Sequence, residues 1–385
     1  MKTKSGLFAL AVGTFALGIA EFSMMGILSD VSKELGISVD RAGHLISAYS
    51  IGVAVGAPLL IFLRKLPLRT VLLILAATIV VGNTFAALSP GYVTLLIARF
   101  ISGLPHGAFF GTGAIVCARL AEKGKGAAAV AVMVGGMTIA NVFGVPAATF
   151  VSNALIWRYT FALVALFGLI AFICIRFMVP YLAPLPDTGM KGQFRFLKSA
   201  APWLIYGGVF FGQAGVYCWL SYISPIMTHV TGFTLSDMTW IMVLVGVGMV
   251  TGNFLSGKCA TRFSPAMVSA TIAAMMLVVL PLIYFCSDMR LVSLILAFVA
   301  SACLFGIGGP PQFLIVGFSK GGEMLGGAGI QIAFNVSNAC SAAIGGAAIH
   351  HGLGFDATAL LGIPFAFIGM ICFMMLHHKY KSKGA

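Results

Sequence analysis

The sequence predicts an all-α membrane protein in which twelve transmembrane helices form two pseudo-symmetric six-helix bundles. Of its 385 residues, 60% are hydrophobic and only 9% are charged, whereas a soluble domain carries about 25% charged residues. A soluble fold of this size would lack the polar side chains needed to cover its surface, so soluble enzymes are excluded. Nucleic-acid binders are also excluded, because the basic residues behind the net charge of +13 are scattered singly between apolar runs.

The individual spans are read from apolar stretches long enough to cross a bilayer, which takes about 20 residues of helix. Helices are expected because a backbone in lipid must satisfy its own hydrogen bonds. The first stretch follows a basic N-terminus and continues past Glu21, so we expect an uncleaved span rather than a signal peptide. The predicted spans are residues 7–28, 43–63, 70–89, 91–117, 127–151, 159–179, 203–224, 237–257, 266–286, 291–316, 325–349 and 357–377.

The distribution of lysine and arginine orients these spans. With the N-terminus inside, the inner segments hold 18 of the 23 basic residues, the outer loops hold 4, and Arg99 lies within a span. Basic residues concentrate on the cytoplasmic side of membrane proteins, where anionic headgroups attract them. We therefore expect a multi-pass protein of the inner, cytoplasmic membrane with both termini in the cytoplasm.

An internal repeat divides the chain. Three short matches recur at an offset of 194 or 196 residues: Gly18 with Gly212, Gly52-x-x-x-Gly56 with Gly248-x-x-x-Gly252, and Asn141 with Asn335. The longest loop, with three prolines and a basic stretch, lies between the repeats. We predict an N-terminal bundle over residues 1–179, a cytoplasmic linker over 180–201 and a C-terminal bundle over 202–385, the organisation of a parallel-repeat secondary transporter.

Away from the span ends, Glu21 is the only acid and Arg99 the only base within the predicted spans. An isolated charge in hydrocarbon costs at least ~2.5 kcal/mol, so it normally faces a cavity or a partner. At a rise of about 1.5 Å per residue, Glu21 and Arg99 lie about 10 and 12 Å from the outer ends of their spans, at a shared level. Two interpretations stay open: Glu21 carries protons while Arg99 tunes it, or the two form a permanent structural ion pair. His106 follows Arg99 on the same helical face, either as a proton relay or as a neutral, hydrogen-bonded part of the wall.

Amides and aromatic rings near the middle of the spans are candidate substrate contacts. Such groups suit a neutral, hydrogen-bonding solute held between the two halves. The alternative is that the amides bond to neighbouring helices and the rings pack in the bundle or face lipid. The candidates are Asn141, Gln213, Tyr217, Gln331, Asn335, Asn338, Phe22 and Phe110.

Other chemistry is not indicated. The sequence has no phosphate-binding loop of the G-x-x-x-x-G-K-[ST] type and no loop large enough for a nucleotide-binding domain. Its eight cysteines form no C-x-x-C pair, which argues against a metal site or a disulfide framework. No nucleophile set is apparent. We expect no cofactor and no enzymatic activity, so a gradient must drive transport.

Several segments resemble the major facilitator superfamily, and in particular its twelve-span drug:proton antiporter branch. Leu95-x-x-x-Arg99-x-x-x-Gly103-x-x-x-Gly107 resembles the branch's arginine motif, and Gly135-x8-Gly144-x-Pro146 resembles a shortened antiporter motif. The segments LGIAEF, SGLPHGAFFG, WRYTF and GGAGIQIAFN are similar to the sugar-efflux and arabinose-induced transporter group. The loop after span 2 departs from the family pattern, because it lacks the aspartate and keeps only Arg64, Lys65 and Arg69.

These observations predict a monomeric, proton-driven antiporter that exports small molecules, such as sugars, nucleosides or drug-like solutes, by alternating access. Its partners would be the solute, protons and membrane lipid. An uncoupled facilitator and a sodium-coupled carrier of a small polar solute are the alternatives. A non-transporting membrane sensor would bind the solute without flux.

Overall fold

The computed structural model describes residues 2–63, 65–122, 126–184, 194–260, 262–319 and 323–380. Within these ranges every regular element is helical, and helices lie at all twelve predicted spans, which confirms the fold class. Part of the predicted linker lies outside the described residues, and Arg64 lies outside them as well. The boundaries of the two predicted bundles stay a prediction. The first six spans are Lys2–Leu35, Val39–Leu63, Leu68–Ala87, Tyr92–Gly103 with Pro105–Leu120, Gly126–Ile139 with Val145–Ala154, and Trp157–Met178. A short 3-10 helix, Arg195–Lys198, precedes the last six: Ala200–Leu220 with Ile223–Pro225, Met238–Ala260, Pro265–Phe285, Arg290–Phe318, Glu323–His350 and Thr358–Tyr380.

Three spans are interrupted near a proline. Span 4 breaks at Leu104, and Pro105 begins its second helix. Span 5 contains a π-helix, Ala140–Gly144, directly before its second helix, and span 7 ends in a π-helix, Ile226–Val230, directly after Pro225. Proline has no backbone N–H to donate within a helix, and irregular backbone at membrane depth is tolerated where protein surrounds it.

Eleven of the described helices are long and apolar enough to cross a membrane. Span 7 is not among them, because Gln213, Tyr206, Tyr217 and two tryptophans lower its mean hydropathy. Its second half is completely enclosed by neighbouring helices, since every residue from Gly212 to Leu220 is buried. Protein, rather than lipid, therefore surrounds the second half of this span.

The two ends of the bundle are held by separate sets of contacts. At one end, which we call the linker end, Arg119 Nη1 donates to the carbonyl oxygen of Ala183 (2.7 Å). At the opposite end, the far end, Arg158 forms an ion pair with Glu34 and donates to the carbonyl oxygen of Ser89 (3.2 Å). The linker end is the one predicted to face the cytoplasm.

The internal repeat reappears as a repeated helix contact. A Cβ atom on Gly56 of span 2 would overlap the carbonyl oxygen of Leu104 in span 4, and one on Gly252 of span 8 would overlap that of Ala302 in span 10. Both glycines are thus needed for close approach of two backbones, as expected for small residues at membrane helix contacts. Equivalent residues of the two halves therefore make equivalent contacts.

The two halves of the chain meet tightly in the half of the bundle nearer the far end. Hydrogen bonds there join Ser224 Oγ to Ser29 Oγ (3.0 Å), Ser47 Oγ to the carbonyl oxygen of Ala339 (2.8 Å), and Asn153 Nδ2 to that of Leu235 (2.7 Å). Closer to the middle, Gly246 of span 8 packs against the backbone of Asn141 in span 5. The far end is therefore closed in this structure.

Candidate functional site

Arg99 projects from the first helix of span 4 into the N-terminal half and is fully buried. Its Nη1 donates to the carbonyl oxygen of Ala20 (2.7 Å), and its Nε donates to that of Leu45 (3.3 Å). The guanidinium carbon also lies 4.4 Å from the ring centre of Tyr49. Arg99 therefore ties spans 1, 2 and 4 together through backbone carbonyls and an aromatic face.

Glu21 is buried next to these contacts, with 1% of its surface exposed. Neither of its carboxylate oxygens has a hydrogen-bond partner among the described residues. Arg99 donates to the carbonyl of the preceding residue, Ala20, and is close enough to act electrostatically on the carboxyl group. The two predicted charges are thus neighbours, but they form no direct hydrogen-bonded ion pair.

His106 completes this cluster. Its Nε2 lies 3.7 Å from Glu21 Oε2, and its Nδ1 hydrogen-bonds with the Tyr49 hydroxyl (2.9 Å). The ring of Phe110 stacks on the imidazole at 5.3 Å between ring centres. Because Tyr49 contacts both Arg99 and His106, the two predicted residues share one face of span 4. Glu21, Arg99, His106 and Tyr49 are called the charge cluster below.

Tyr49 was missed by the sequence reasoning. The signal for it is indirect: the glycine three residues later, Gly52, belongs to a Gly-x-x-x-Gly pair, a pattern typical of close packing between membrane helices. In the structure a Cβ atom on Gly103 would overlap the carbonyl oxygen of Tyr49. The close approach of spans 2 and 4 thus brings the tyrosine to the charge cluster.

Four aromatic rings meet near the middle of the bundle, and they come from both halves. Phe22 of span 1 lies 5.8 Å from Phe305 of span 10, which lies 6.3 Å from Phe334 of span 11. Phe334 lies 5.4 Å from Tyr217 of span 7. Phe22 and Tyr217 are buried, whereas Phe305 and Phe334, which we did not predict, are partly exposed. The side of this central aromatic cluster formed by Phe305 and Phe334 therefore borders open space.

The predicted amides differ in their surroundings. Gln213 Nε2 donates to the carbonyl oxygen of Leu304 (3.2 Å), and Asn335 Nδ2 donates to that of Gln331 on its own helix (3.1 Å). Asn141 and Asn338 are buried, and their amide groups have no hydrogen-bond partner in the described part of the chain. Gln331 is half-buried. The alternative interpretation was that these amides only bond to neighbouring helices. Among the described hydrogen bonds of these amides, only the one from Gln213 Nε2 reaches another helix.

Many buried polar atoms in this region keep unused hydrogen-bonding capacity. Buried polar groups in proteins are almost always hydrogen-bonded. The exceptions here include both oxygens of Glu21, Arg99 Nη2, His106 Nε2, the Tyr217 hydroxyl, Gln213 Oε1, Asn335 Oδ1 and both amide atoms of Asn141 and Asn338. These atoms come from both halves and have the capacity to hydrogen-bond with a solute or with water, and the Glu21 and His106 atoms can also bind a proton.

Comparison with known proteins agrees with this architecture. The chain is 44% identical over 383 residues to AraJ of Escherichia coli (strain K12), covering 99% of this chain and 97% of AraJ. It is 34% identical over 380 residues to the inner membrane transport protein YdhP of Escherichia coli (strain K12), covering 98% and 97% of the two chains. Its fold matches the inward-facing, unoccupied crystal structure of a bacterial homologue of the human lysosomal transporter Spinster, with a TM-score of 0.76, 13% identity and coverage of 100% and 98%.

The family profile of the Major Facilitator Superfamily matches residues 10–329. That range includes every residue of the charge cluster and the central aromatic cluster except Phe334. The resemblance seen in the sequence motifs is therefore confirmed, and this multi-pass membrane chain belongs to the Major Facilitator Superfamily.

Proposed function

We propose that this chain is a proton-coupled antiporter that exports small neutral or amphipathic solutes from the cytoplasm. The observation that carries the proposal is the Glu21 carboxyl group, which is buried, has no hydrogen-bond partner in the described part of the chain, and lies 3.7 Å from His106 Nε2. An ionisable group at membrane depth is expected to serve a proton, ion or substrate path. Membership of a transporter family supports the transport part of the proposal.

Proton binding follows from the geometry of the charge cluster. A permanent ion pair would join the arginine and the carboxylate by two parallel hydrogen bonds. Here Arg99 donates to two backbone carbonyls, and neither Glu21 oxygen accepts a hydrogen bond from the described residues. The carboxyl group can then take a proton when the path to it opens and release the proton when conditions change. His106 is placed to exchange that proton, with Tyr49 holding its other ring nitrogen.

Alternating access follows from the contacts between the halves. The far end is closed by hydrogen bonds between spans of opposite halves. The linker end carries most of the basic residues, which points to the cytoplasm. We therefore assign this structure to a cytoplasm-facing state, in which a solute reaches the open side of the central aromatic cluster from inside the cell. Opening of the far end would release the solute outside.

The polar and aromatic groups at the central aromatic cluster favour an uncharged solute. The C-terminal half holds the Tyr217 hydroxyl and the amides of Gln213, Asn335 and Asn338, each with a buried atom that has no hydrogen-bond partner among the described residues. Phe305 and Phe334 supply flat apolar contact. Hydroxyl and carbonyl groups on an otherwise apolar or ring-shaped solute match this combination. Sugars, nucleosides and amphipathic drugs all fit this description.

The test is transport into proteoliposomes under a pH gradient, with radiolabelled D-glucose, adenosine and ethidium as probes. For a transported probe, Glu21→Gln is expected to abolish accumulation driven by the pH gradient while leaving exchange of labelled for unlabelled probe. The matched control is Glu34→Gln, which alters a partly exposed carboxylate at the far end of the same helix. Undiminished pH-driven accumulation by Glu21→Gln would contradict the proposal. Accumulation that follows a sodium gradient would indicate the sodium-coupled alternative, and indifference to both gradients would indicate an uncoupled facilitator.

A further inference from the structure

Spans 2 and 11, from opposite halves, run side by side near the far end with a regular set of contacts. Starting from the middle of the bundle, Ser47 Oγ donates to the carbonyl oxygen of Ala339 (2.8 Å). Further out, Gly43 and Gly346 both pack against the hydroxyl of Tyr222, so that neither could carry a Cβ atom without a shift. Small residues along both helices therefore let the two halves close tightly here.

The outermost contact in this series is between two ionisable groups. Asp40, at the start of span 2, lies opposite His350, at the end of span 11, with 3.1 Å between Asp40 Oδ2 and His350 Nδ1. The Asp40 side chain is 11% exposed and that of His350 is 69% exposed. The pair therefore joins the two halves at a point that solvent reaches from the far side.

The pair joins a carboxylate to an imidazole, two groups that change charge in different pH ranges. Carboxylates are ionised between about pH 5 and 8, whereas histidine changes charge near pH 6.5. Four groups face the pair. The Ser38 hydroxyl hydrogen-bonds with Asp40, and the His351 ring lies 5.7 Å from the His350 ring. The other two are the Tyr222 hydroxyl, which donates to the carbonyl oxygen of Ala342, and Tyr92, whose ring lies under the guanidinium of Arg41.

We propose that Asp40 and His350 form a pH-dependent lock that holds the far end of the transport pathway closed. The proposal rests on alternating access, as proposed above, but not on the role of Glu21 or on the identity of the solute. Protonated His350 attracts the Asp40 carboxylate, which stabilises the closed arrangement. Neutral His350 retains at most a hydrogen bond. The closed state is therefore favoured at lower pH and weakened at higher pH.

The size of the effect follows from the exposure of the pair. Partly exposed ion pairs change an equilibrium by roughly twofold to fivefold. The ratio of far-end-closed to far-end-open molecules should rise by about that factor when the pH falls from about 8 to about 5.5. The remaining contacts between spans 2 and 11 do not titrate in this range, so they set the baseline of the equilibrium.

The test is a distance measurement across the far end by electron paramagnetic resonance. Spin labels are attached after Leu88→Cys in the N-terminal half and Leu291→Cys in the C-terminal half, two exposed positions near the far end. The four native cysteines that are exposed or partly exposed, Cys259, Cys286, Cys340 and Cys372, are replaced by serine. The protein is measured in lipid nanodiscs at both pH values without added solute. The expected result is a larger short-distance population at the lower pH.

Two variants and two controls decide the outcome. His350→Gln removes the titrating ring and Asp40→Asn removes the carboxylate charge, and each should abolish the pH response. His351→Gln alters the adjacent histidine and should keep it. All measurements are repeated in the Glu21→Gln background, where the carboxyl group proposed for proton coupling cannot contribute, so that failure of the lock is distinguished from failure of proton coupling. An unchanged pH response in His350→Gln or Asp40→Asn overturns the proposal, and so does a wild-type population that does not respond to pH.

Discussion

Replacing Arg99 tests whether it and Glu21 act as one electrostatic unit although no hydrogen bond joins them. The change is Arg99→Met, made both in the natural sequence and together with Glu21→Gln. Methionine keeps much of the arginine's length and apolar contact but carries no charge. In the natural sequence it leaves a buried carboxyl group without its neighbouring cation. In the Glu21→Gln background no such charge remains.

The contacts of Arg99 set the expected magnitudes. Removing one partner of a buried charge pair destabilises a protein by about 3–5 kcal/mol. With Glu21 already neutral, the main loss is the charged hydrogen bond to the carbonyl of Ala20, 2.7 Å long, which is worth about 1.5–3 kcal/mol. The difference between the two backgrounds, the coupling free energy, should therefore be about 2 kcal/mol.

The assay is reversible unfolding of the four purified proteins by sodium dodecyl sulfate in mixed micelles. It yields the free energy of unfolding for the natural chain, both single variants and the double variant. Couplings between groups in contact or in one network range over about 0.5–3 kcal/mol. Equal destabilisation by Arg99→Met in both backgrounds, with a coupling below about 0.5 kcal/mol, would refute the idea that these charges interact.

Two further predictions concern residues that the structure, more than the sequence, brings forward. Tyr49→Phe removes the hydroxyl that hydrogen-bonds with His106 but keeps the ring. Transport driven by the pH gradient should therefore slow several-fold, while exchange of labelled for unlabelled solute is retained. Equal loss of both activities would contradict a role in proton transfer. Gly252→Ala places a carbon 2.6 Å from Ala302 Cα and should lower the free energy of unfolding by about 1–3 kcal/mol. Gly257→Ala in the same span meets open space and should be neutral or slightly stabilising in the same unfolding assay, and equal effects of the two alanines would contradict the packing argument.

The span count could be predicted because lipid imposes a length and a composition on every crossing helix. The breaks within spans 4, 5 and 7 could not be placed in the same way. Hydropathy averages over about 20 residues and does not register a single lost hydrogen bond. The prolines Pro105, Pro146 and Pro225 lie at or beside these breaks, but a proline in a membrane helix is often accommodated without a change of element. Pro58, for example, lies inside a continuous helix.

The charge cluster was more predictable than the central aromatic cluster. A rise of about 1.5 Å per residue places Glu21 and Arg99 at one level whatever the details of packing, because both spans cross the same bilayer. Which aromatic residues border open space depends on how the spans rotate about their axes. Phe305 and Phe334 were therefore missed, although both lie among apolar residues typical of a span. The same uncertainty in rotation hid Tyr49.

The direction in which Arg99 points bears most strongly on the choice between a coupling role and a structural role for Glu21. A side chain that existed only to neutralise a buried carboxylate would place its donors on that carboxylate. Arg99 instead donates to the backbone of spans 1 and 2, so its position is fixed by groups that never change protonation. The guanidinium thus supplies a constant positive field at Glu21, whether or not the carboxyl group holds a proton. A fixed cation beside a titratable acid allows protonation to change without loss of the contacts that hold the helices together. That separation of structural bonds from the titrating group favours the coupling interpretation over a permanent ion pair.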